Sequence, residues 1–193
     1  MVKSYKVSEK DMLLVRNNII TDVGIPALKD NGYCKFPFSG SWFGKNNLGD
    51  FTYELCRVSK SSQLEIIVVH ISSGDKYIKV YLNIFELIPT LNSCSQLINK
   101  SGTKFGLPPN NITEMRLRSD DYKGPPIFYM LFLPEHKVGR YNSKNKFERE
   151  IKKLRNIIKT DMTNIDKFVN RWHELYKMNI TDWEGNLITK ATH

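Results

Sequence analysis

The spacing of apolar residues near the start of the chain predicts an amphipathic helix. Apolar side chains recur at the helical repeat between Met12 and Val23. Ser8 precedes this stripe and is a candidate N-cap. Gly24 and Pro26 are expected to interrupt the helix, because glycine lowers helix propensity and proline lacks the N–H that a helix interior uses.

The pattern then changes to alternating apolar and polar residues, which predicts an antiparallel sheet of about five strands. Segment 64–71 is apolar at nearly every position, so we expect it to be the central strand, buried on both faces. Segment 85–98 contains Pro89 and is predicted to form only a short helix. The candidate strands are 33–38, 51–55, 64–71, 78–82, 112–117 and 127–133.

The helical repeat returns after Ser143, which is a second candidate N-cap. A stripe of four apolar residues from Phe147 to Ile158 predicts one helix, and a second is expected to start near Thr160 or Thr163. The pattern as a whole predicts an α+β fold with an N-terminal helix and two C-terminal helices packed on the sheet. We expect one domain over 1–193, with helix and sheet in 1–135 and the helical segment in 143–178.

Composition supports a globular protein and predicts a cytoplasmic location. Hydrophobic residues make up 40% of the 193 residues and charged residues 25%. The chain has no apolar run of the ~18 residues that a membrane helix requires, and no secretory signal pattern. Cys34, Cys56 and Cys94 are odd in number, widely spaced and without a CxxC motif, so we expect reduced thiols and no metal site.

The net charge of +9 is concentrated in one segment. Residues 131–160 contain nine basic and three acidic side chains. A local positive field of this kind attracts nucleic-acid phosphates, and we predict a non-enzymatic protein that contacts nucleic acid, DNA above all, through this segment. The alternative is an ordinary solvated lysine-rich surface. The predicted nucleic-acid-binding residues are Lys137, Arg140, Lys144, Lys146, Arg149, Lys152, Lys153, Arg155 and Lys159.

Two other uses of the basic segment need different chemistry. Membrane binding is disfavoured, because the apolar stripe is narrow and lacks tryptophan. A metal-dependent endonuclease is a further alternative, in which Asp121 and Glu135 would hold Mg²⁺ and Lys137 would orient the attacking water. Pro134 disfavours this arrangement, because the strand is expected to end before Glu135. No cofactor is expected, apart from Mg²⁺ in the nuclease case.

Residues 25–88 resemble a group of uncharacterised bacterial α+β proteins, some of which are encoded near toxin–immunity loci. The resemblance is carried by 25–33, by Ser41-Trp42-Phe43 and by the predicted strands 51–57, 64–71 and 77–84. Gly44-Lys45 stands where that group has a basic residue directly after the aromatic residue. The resemblance implies an immunity-like protein that binds and neutralises a protein partner, which is the alternative to nucleic-acid binding.

Overall fold

The computed structural model describes residues 5–59, 62–128, 135–139 and 141–188. In this part of the chain, a mostly antiparallel sheet carries helices on one face and loops with short 3₁₀ turns on the other. The predicted α+β class, with an N-terminal helix and C-terminal helices, is confirmed.

Three long neighbouring strands form the centre of the sheet. They pair as an antiparallel meander, in which Ile67 lies opposite both Leu55 and Leu82. All three of these side chains are fully buried, and the central position predicted for segment 64–71 is confirmed. The described strands are β1 (Cys34–Lys35), β2 (Phe43–Lys45), β3 (Phe51–Ser59), β4 (Gln63–Ile71), β5 (Lys79–Leu87), β6 (Met115–Arg116) and β7 (Asn179–Thr181).

Two short strands border each side of the meander. β1 and β2 both pair with β3, while β6 and β7 both pair with β5, and β7 runs parallel to β5. The described residues thus form seven strands, two more than the predicted number. β2 and β7 have three residues each, too few to show an alternating pattern.

Three predicted segments differ from the structure. Segment 112–117 keeps only β6 as strand, because a 3₁₀ turn at Asn110–Thr113 occupies its beginning. Segment 85–98 is not one short helix: β5 continues to Leu87, and a 3₁₀ turn follows at Cys94–Leu97. Of the predicted strand 127–133, residues 129–133 lie outside the described residues, and 126–128 are helical rather than extended, with the N–H of Phe128 donating to the Pro125 carbonyl at 3.0 Å.

The N-terminal helix continues through the predicted interruption at Gly24 and Pro26. α1 (Glu9–Ile19) leads into a π-helical segment (Ile20–Gly24) and then α2 (Ile25–Asp30). The Ser8 cap is confirmed, since Ser8 Oγ accepts the Asp11 N–H at 3.1 Å. Pro26 does not break the helix, because it stands in the first turn of α2 beside a π-helical bulge, where the backbone is already shifted out of the α pattern.

The two C-terminal helices are α3 (Lys144–Thr163) and α4 (Ile165–Leu175). The predicted Ser143 cap is confirmed, with the Lys146 N–H donating to Ser143 Oγ at 3.3 Å. The second helix begins at Ile165, close to the predicted start at Thr163 and not at the alternative near Thr160, because α3 continues to Thr163. α4 packs on β5 through the fully buried Trp172, whereas α3 packs chiefly on α1, the π-helical segment and α2.

The other face of the sheet is covered by loops. Phe38 and Phe85 both contact Phe105, at 5.5 and 4.9 Å between ring centroids, in a second apolar core. After β7 the chain forms a tight hairpin, in which Thr181 bridges Leu187. The sheet is therefore buried on both faces, and each face carries its own core.

Candidate nucleic-acid interface

α3 has a buried face and an opposite face that is wholly exposed. Phe147, Leu154, Ile158 and Met162 are buried in the core shared with the sheet. Because an α-helix has 3.6 residues per turn, residues that follow one another at intervals of four and three lie along one side of it. In α3, such a stripe lies on the side opposite to these buried residues. All of its members are exposed, and three of them are basic: Asn145, Arg149, Lys152, Asn156, Lys159 and Thr163.

Both edges of this stripe carry further basic side chains with surface ion pairs. Lys153 and Arg149 share Glu150 at 2.9 and 3.4 Å. Lys144 lies 3.7 Å from Glu148 on the other edge. Exposed pairs of this kind are worth roughly 0–1 kcal/mol, so an incoming phosphate displaces them at little cost.

Lys152 and Lys159, in the stripe itself, have no carboxylate partner among the residues that the structure describes. Arg155 meets Asp22 of the π-helical segment at 3.2 Å, and the Lys146 ammonium lies 5.9 Å from the Tyr141 ring. The positive charge of α3 is therefore only partly compensated. It is highest along the middle of the exposed stripe.

The other two predicted nucleic-acid-binding residues lie before α3. Lys137 pairs with Glu135 at 2.5 Å, in an extended segment that bridges Tyr77 beside the start of β5. Arg140 lies outside the described residues. The structure thus places seven of the nine predicted residues on one helix, where six are exposed and Arg155 is partly buried.

A buried ionic cluster fixes the C-terminal half of α3. The carboxylate of Asp161 is only 3% exposed and accepts hydrogen bonds from Arg118 Nε and Nη2, both at 2.6 Å. It also pairs with Nε2 of the buried His136 at 2.7 Å. Burial raises the pKa of Asp161, but the hydrogen bonds from Arg118 and His136 outweigh this and hold the pKa below its ordinary value.

This cluster corrects the prediction for Asp161. One of the two predicted helix starts was near Thr160, whereas Asp161 lies inside α3 and continues its buried stripe by one turn. His136 points inward from the extended segment 135–139, between the outward-facing Glu135 and Lys137. Sequence reasoning missed the cluster because its three members are far apart in the chain.

The two carboxylates of the nuclease hypothesis have different partners in the structure. Asp121 lines a cleft of about 330 Å³ with Arg118, Lys167 and Arg171, and its Oδ1 is buried without a hydrogen bond among the described residues. Burial raises the pKa of Asp121. Glu135 pairs instead with Lys137. Neither carboxylate belongs to a group of three potential ligand side chains in the described chain, so the hypothesis stays a prediction without geometric support.

His70, in β4, is a partly buried, hydrogen-bonded residue at the rim of the core. Its Nδ1 lies 3.2 Å from the Thr52 hydroxyl on the neighbouring strand. Burial, and then the positive charge of Lys79, lower the pKa of His70.

Sequence reasoning also missed a cluster of the three cysteines. The Sγ atoms of Cys34, Cys56 and Cys94 all lie within 4.8 Å of one another. The spacing along the chain gave no sign of this, because the cluster depends on strand register: Cys34 lies directly opposite Cys56 in the β1–β3 pair. The fold brings all three sulfurs together although the cysteines are widely spaced in the chain, and the expectation of no metal site stays a prediction.

None of the helices described by the structure combines the length and the apolar character needed to cross a membrane. Comparison with known proteins found no matching family model, no similar curated protein and no similar solved structure.

Proposed function

We propose that this protein binds nucleic acid through the exposed stripe of α3, chiefly by contacts to phosphates. The observation that carries the proposal is the position of Arg149, Lys152 and Lys159 on one line of the helix, opposite its buried face. Lys152 and Lys159 keep their charge free of carboxylates within the described residues. Such a line of cations releases counterions from a nucleic-acid backbone, and this release is the main source of non-specific affinity.

The helix is held in place before any ligand arrives. Phe147, Leu154 and Ile158 anchor one side of it, and the Asp161 cluster anchors its last turns. Binding therefore orders only flexible side chains and not the backbone, which lowers the entropic cost of association. At 1.5 Å per residue, the 20 residues of α3 extend over about 30 Å, enough to reach several phosphates along a strand.

The chemistry of the stripe favours phosphate contacts over base recognition. Lysine ammonium groups act as point charges, which attract phosphates without selecting a base. Asn145 and Asn156 supply amide groups that can donate to phosphate or sugar oxygens beside the cations. We therefore expect affinity with little sequence preference.

The proposal is tested with a double charge reversal on the stripe, Lys152→Glu with Lys159→Glu. Binding to a fluorescent duplex of about 20 base pairs, two helical turns, is measured by fluorescence anisotropy at low salt. The matched control reverses two exposed lysines away from α3, Lys45→Glu with Lys177→Glu, and changes the net charge equally. We expect the stripe variant to bind at least about tenfold more weakly than the control variant.

Two results would contradict the proposal. Absence of duplex or single-stranded binding by the unmodified protein is the first. Equal weakening by both variants is the second, since it would show a general effect of net charge rather than a site on α3. If the protein binds no nucleic acid but keeps a specific polypeptide bound at moderate salt, the result would support a protein partner in place of nucleic acid.

A further inference from the structure

The three cysteines meet in the second core, on the face of the sheet that α3 does not cover. Cys56 and Cys94 are buried among apolar side chains of this core, and their sulfurs are 3.2 Å apart. Cys34 is exposed at the edge of the sheet, so one side of the cluster faces solvent. The cluster therefore has two buried cysteines and one side that is accessible to solvent.

Three separate parts of the backbone hold these sulfurs. Cys34 and Cys56 are opposed residues of β1 and β3, and strand pairing fixes their positions. Cys94 begins the 3₁₀ turn, which Ser93 and Gln96 close with a capping box. A metal site needs such convergence from rigid elements, whereas cysteines that only fill a core need not point at one another.

We propose that Cys34, Cys56 and Cys94 form a three-thiolate site for a thiophilic metal ion of the zinc class. Thiolate ligands select soft or borderline cations such as Zn²⁺ over Mg²⁺ or Ca²⁺. With metal–sulfur bonds of about 2.3 Å, two sulfurs on a tetrahedral ion lie about 3.8 Å apart. The sulfurs of this cluster, all within 4.8 Å, need only small side-chain shifts to reach that spacing.

Binding is a proton exchange without a redox step. Three thiols lose three protons to solvent, and three metal–sulfur bonds form. No fourth cysteine, histidine or carboxylate joins the group within the described residues, so the fourth coordination position opens to solvent beside Cys34.

A disulfide is the competing use of these residues, and the arrangement fits it less well. A disulfide joins two sulfurs at about 2.0 Å and leaves the third without a role. Here all three sulfurs converge, and the pair at 3.2 Å consists of the two buried residues. A metal ion uses all three.

The test is titration of the fully reduced protein with Co²⁺ under anaerobic conditions, followed by displacement with Zn²⁺. We expect one equivalent of Co²⁺, with thiolate-to-cobalt charge-transfer absorption and tetrahedral d–d bands that Zn²⁺ abolishes. Cys34→Ser should weaken binding more than ~100-fold, beyond what loss of a supporting residue costs, while leaving circular dichroism unchanged because Cys34 is exposed. Lys35→Ser, an exposed change on the same short strand, should bind as the unmodified protein does.

The result that would overturn the proposal is a reduced, folded protein that takes up no Co²⁺ or Zn²⁺. Equal uptake by the Cys34→Ser variant would overturn it as well. Counting free thiols after exposure to air gives the third outcome: rapid formation of a disulfide, in a protein that binds no metal when reduced, would assign the cluster to redox chemistry.

Discussion

Single buried charges hold the helical layer to the sheet. The buried Glu65 of β4 accepts hydrogen bonds from Arg57 Nε at 2.8 Å and from the Tyr33 hydroxyl at 2.5 Å. Burial, and then the negative charge of Glu65, raise the pKa of Tyr33 well above its ordinary value. The buried Asp161 likewise holds α3 in place through its contacts with Arg118 and His136. Charges buried in this way stabilise the fold only while every partner is present.

Asp161→Asn removes the charge that Arg118 and His136 require. We expect it to lower the free energy of unfolding by about 3–5 kcal/mol, because it leaves the buried end of Arg118 without its counter-ion. The control is Asp166→Asn, whose carboxylate is 66% exposed and pairs with Arg57, and which should cost only about 0–1 kcal/mol. Urea unfolding measures both, and similar losses in the two variants would contradict this account of the cluster.

The same cluster predicts a loss of stability in acid. The folded pKa of Asp161 is depressed, so the unfolded chain binds a proton more readily than the folded one. The stabilisation from Asp161 is therefore present above its ordinary pKa of about 3.9 and disappears as the pH falls toward the lower folded pKa. Urea midpoints from about pH 7 to pH 3 should fall less steeply in Asp161→Asn than in the unmodified protein. If the urea midpoints of the two proteins fall in parallel with pH, other carboxylates control the loss of stability in acid.

Elements differ in how clearly the sequence predicts them. The long strands β3, β4 and β5 and the helix α3 repeat their apolar pattern several times, so one atypical residue does not hide them. β2 and β7 are too short for any period, and they form because β3 and β5 offer free edges. The wrong helix prediction for 85–98 has a similar cause, since only tertiary pairing with β4 and β7 shows that β5 extends to Leu87.

The candidate sites differ in the same way. The basic stripe of α3 lies within one helix, so helical spacing predicts which lysines share a face. The cysteine cluster and the Asp161 cluster each join three distant segments, and no local period reports such contacts. Asp161 was misassigned because Thr160-Asp161 is a good helix-start sequence; only the core around Met162 shows that the helix continues.

The two faces of α3 predict opposite responses to truncation. Ile158 is fully buried and packs closely against Gly24. A Cβ atom added at Gly24 would lie 3.2 Å from Cγ2 of Ile158. Ile158→Ala should therefore cost about 2–5 kcal/mol of unfolding free energy. Lys152→Ala, on the exposed stripe, should change it by no more than about 0.5 kcal/mol. Chemical denaturation distinguishes these cases, and a large cost for Lys152→Ala would mean that this side chain supports the fold.

The whole molecule separates the two proposed sites. α3 belongs to the helical layer on one face of the sheet, and the cysteine cluster belongs to the loop-covered face. Because the sites share no residue, mutations in them should act independently. The Lys152→Glu, Lys159→Glu variant should keep its Co²⁺ affinity, and Cys34→Ser should keep its affinity for duplex DNA. Co²⁺ titration and anisotropy measure this, and a loss of both activities in either variant would show that the sites are coupled.

The most direct test of the central claim, that α3 contacts phosphates, is the salt dependence of duplex binding. The slope of log K against log salt is about −0.9 for each phosphate neutralised, so contacts by Arg149, Lys152 and Lys159 alone give a slope near −3. We expect the Lys152→Glu, Lys159→Glu variant to reduce this slope by about two, and the Lys45→Glu, Lys177→Glu control to leave it unchanged. A slope near zero, or the same slope in both variants, would contradict the account.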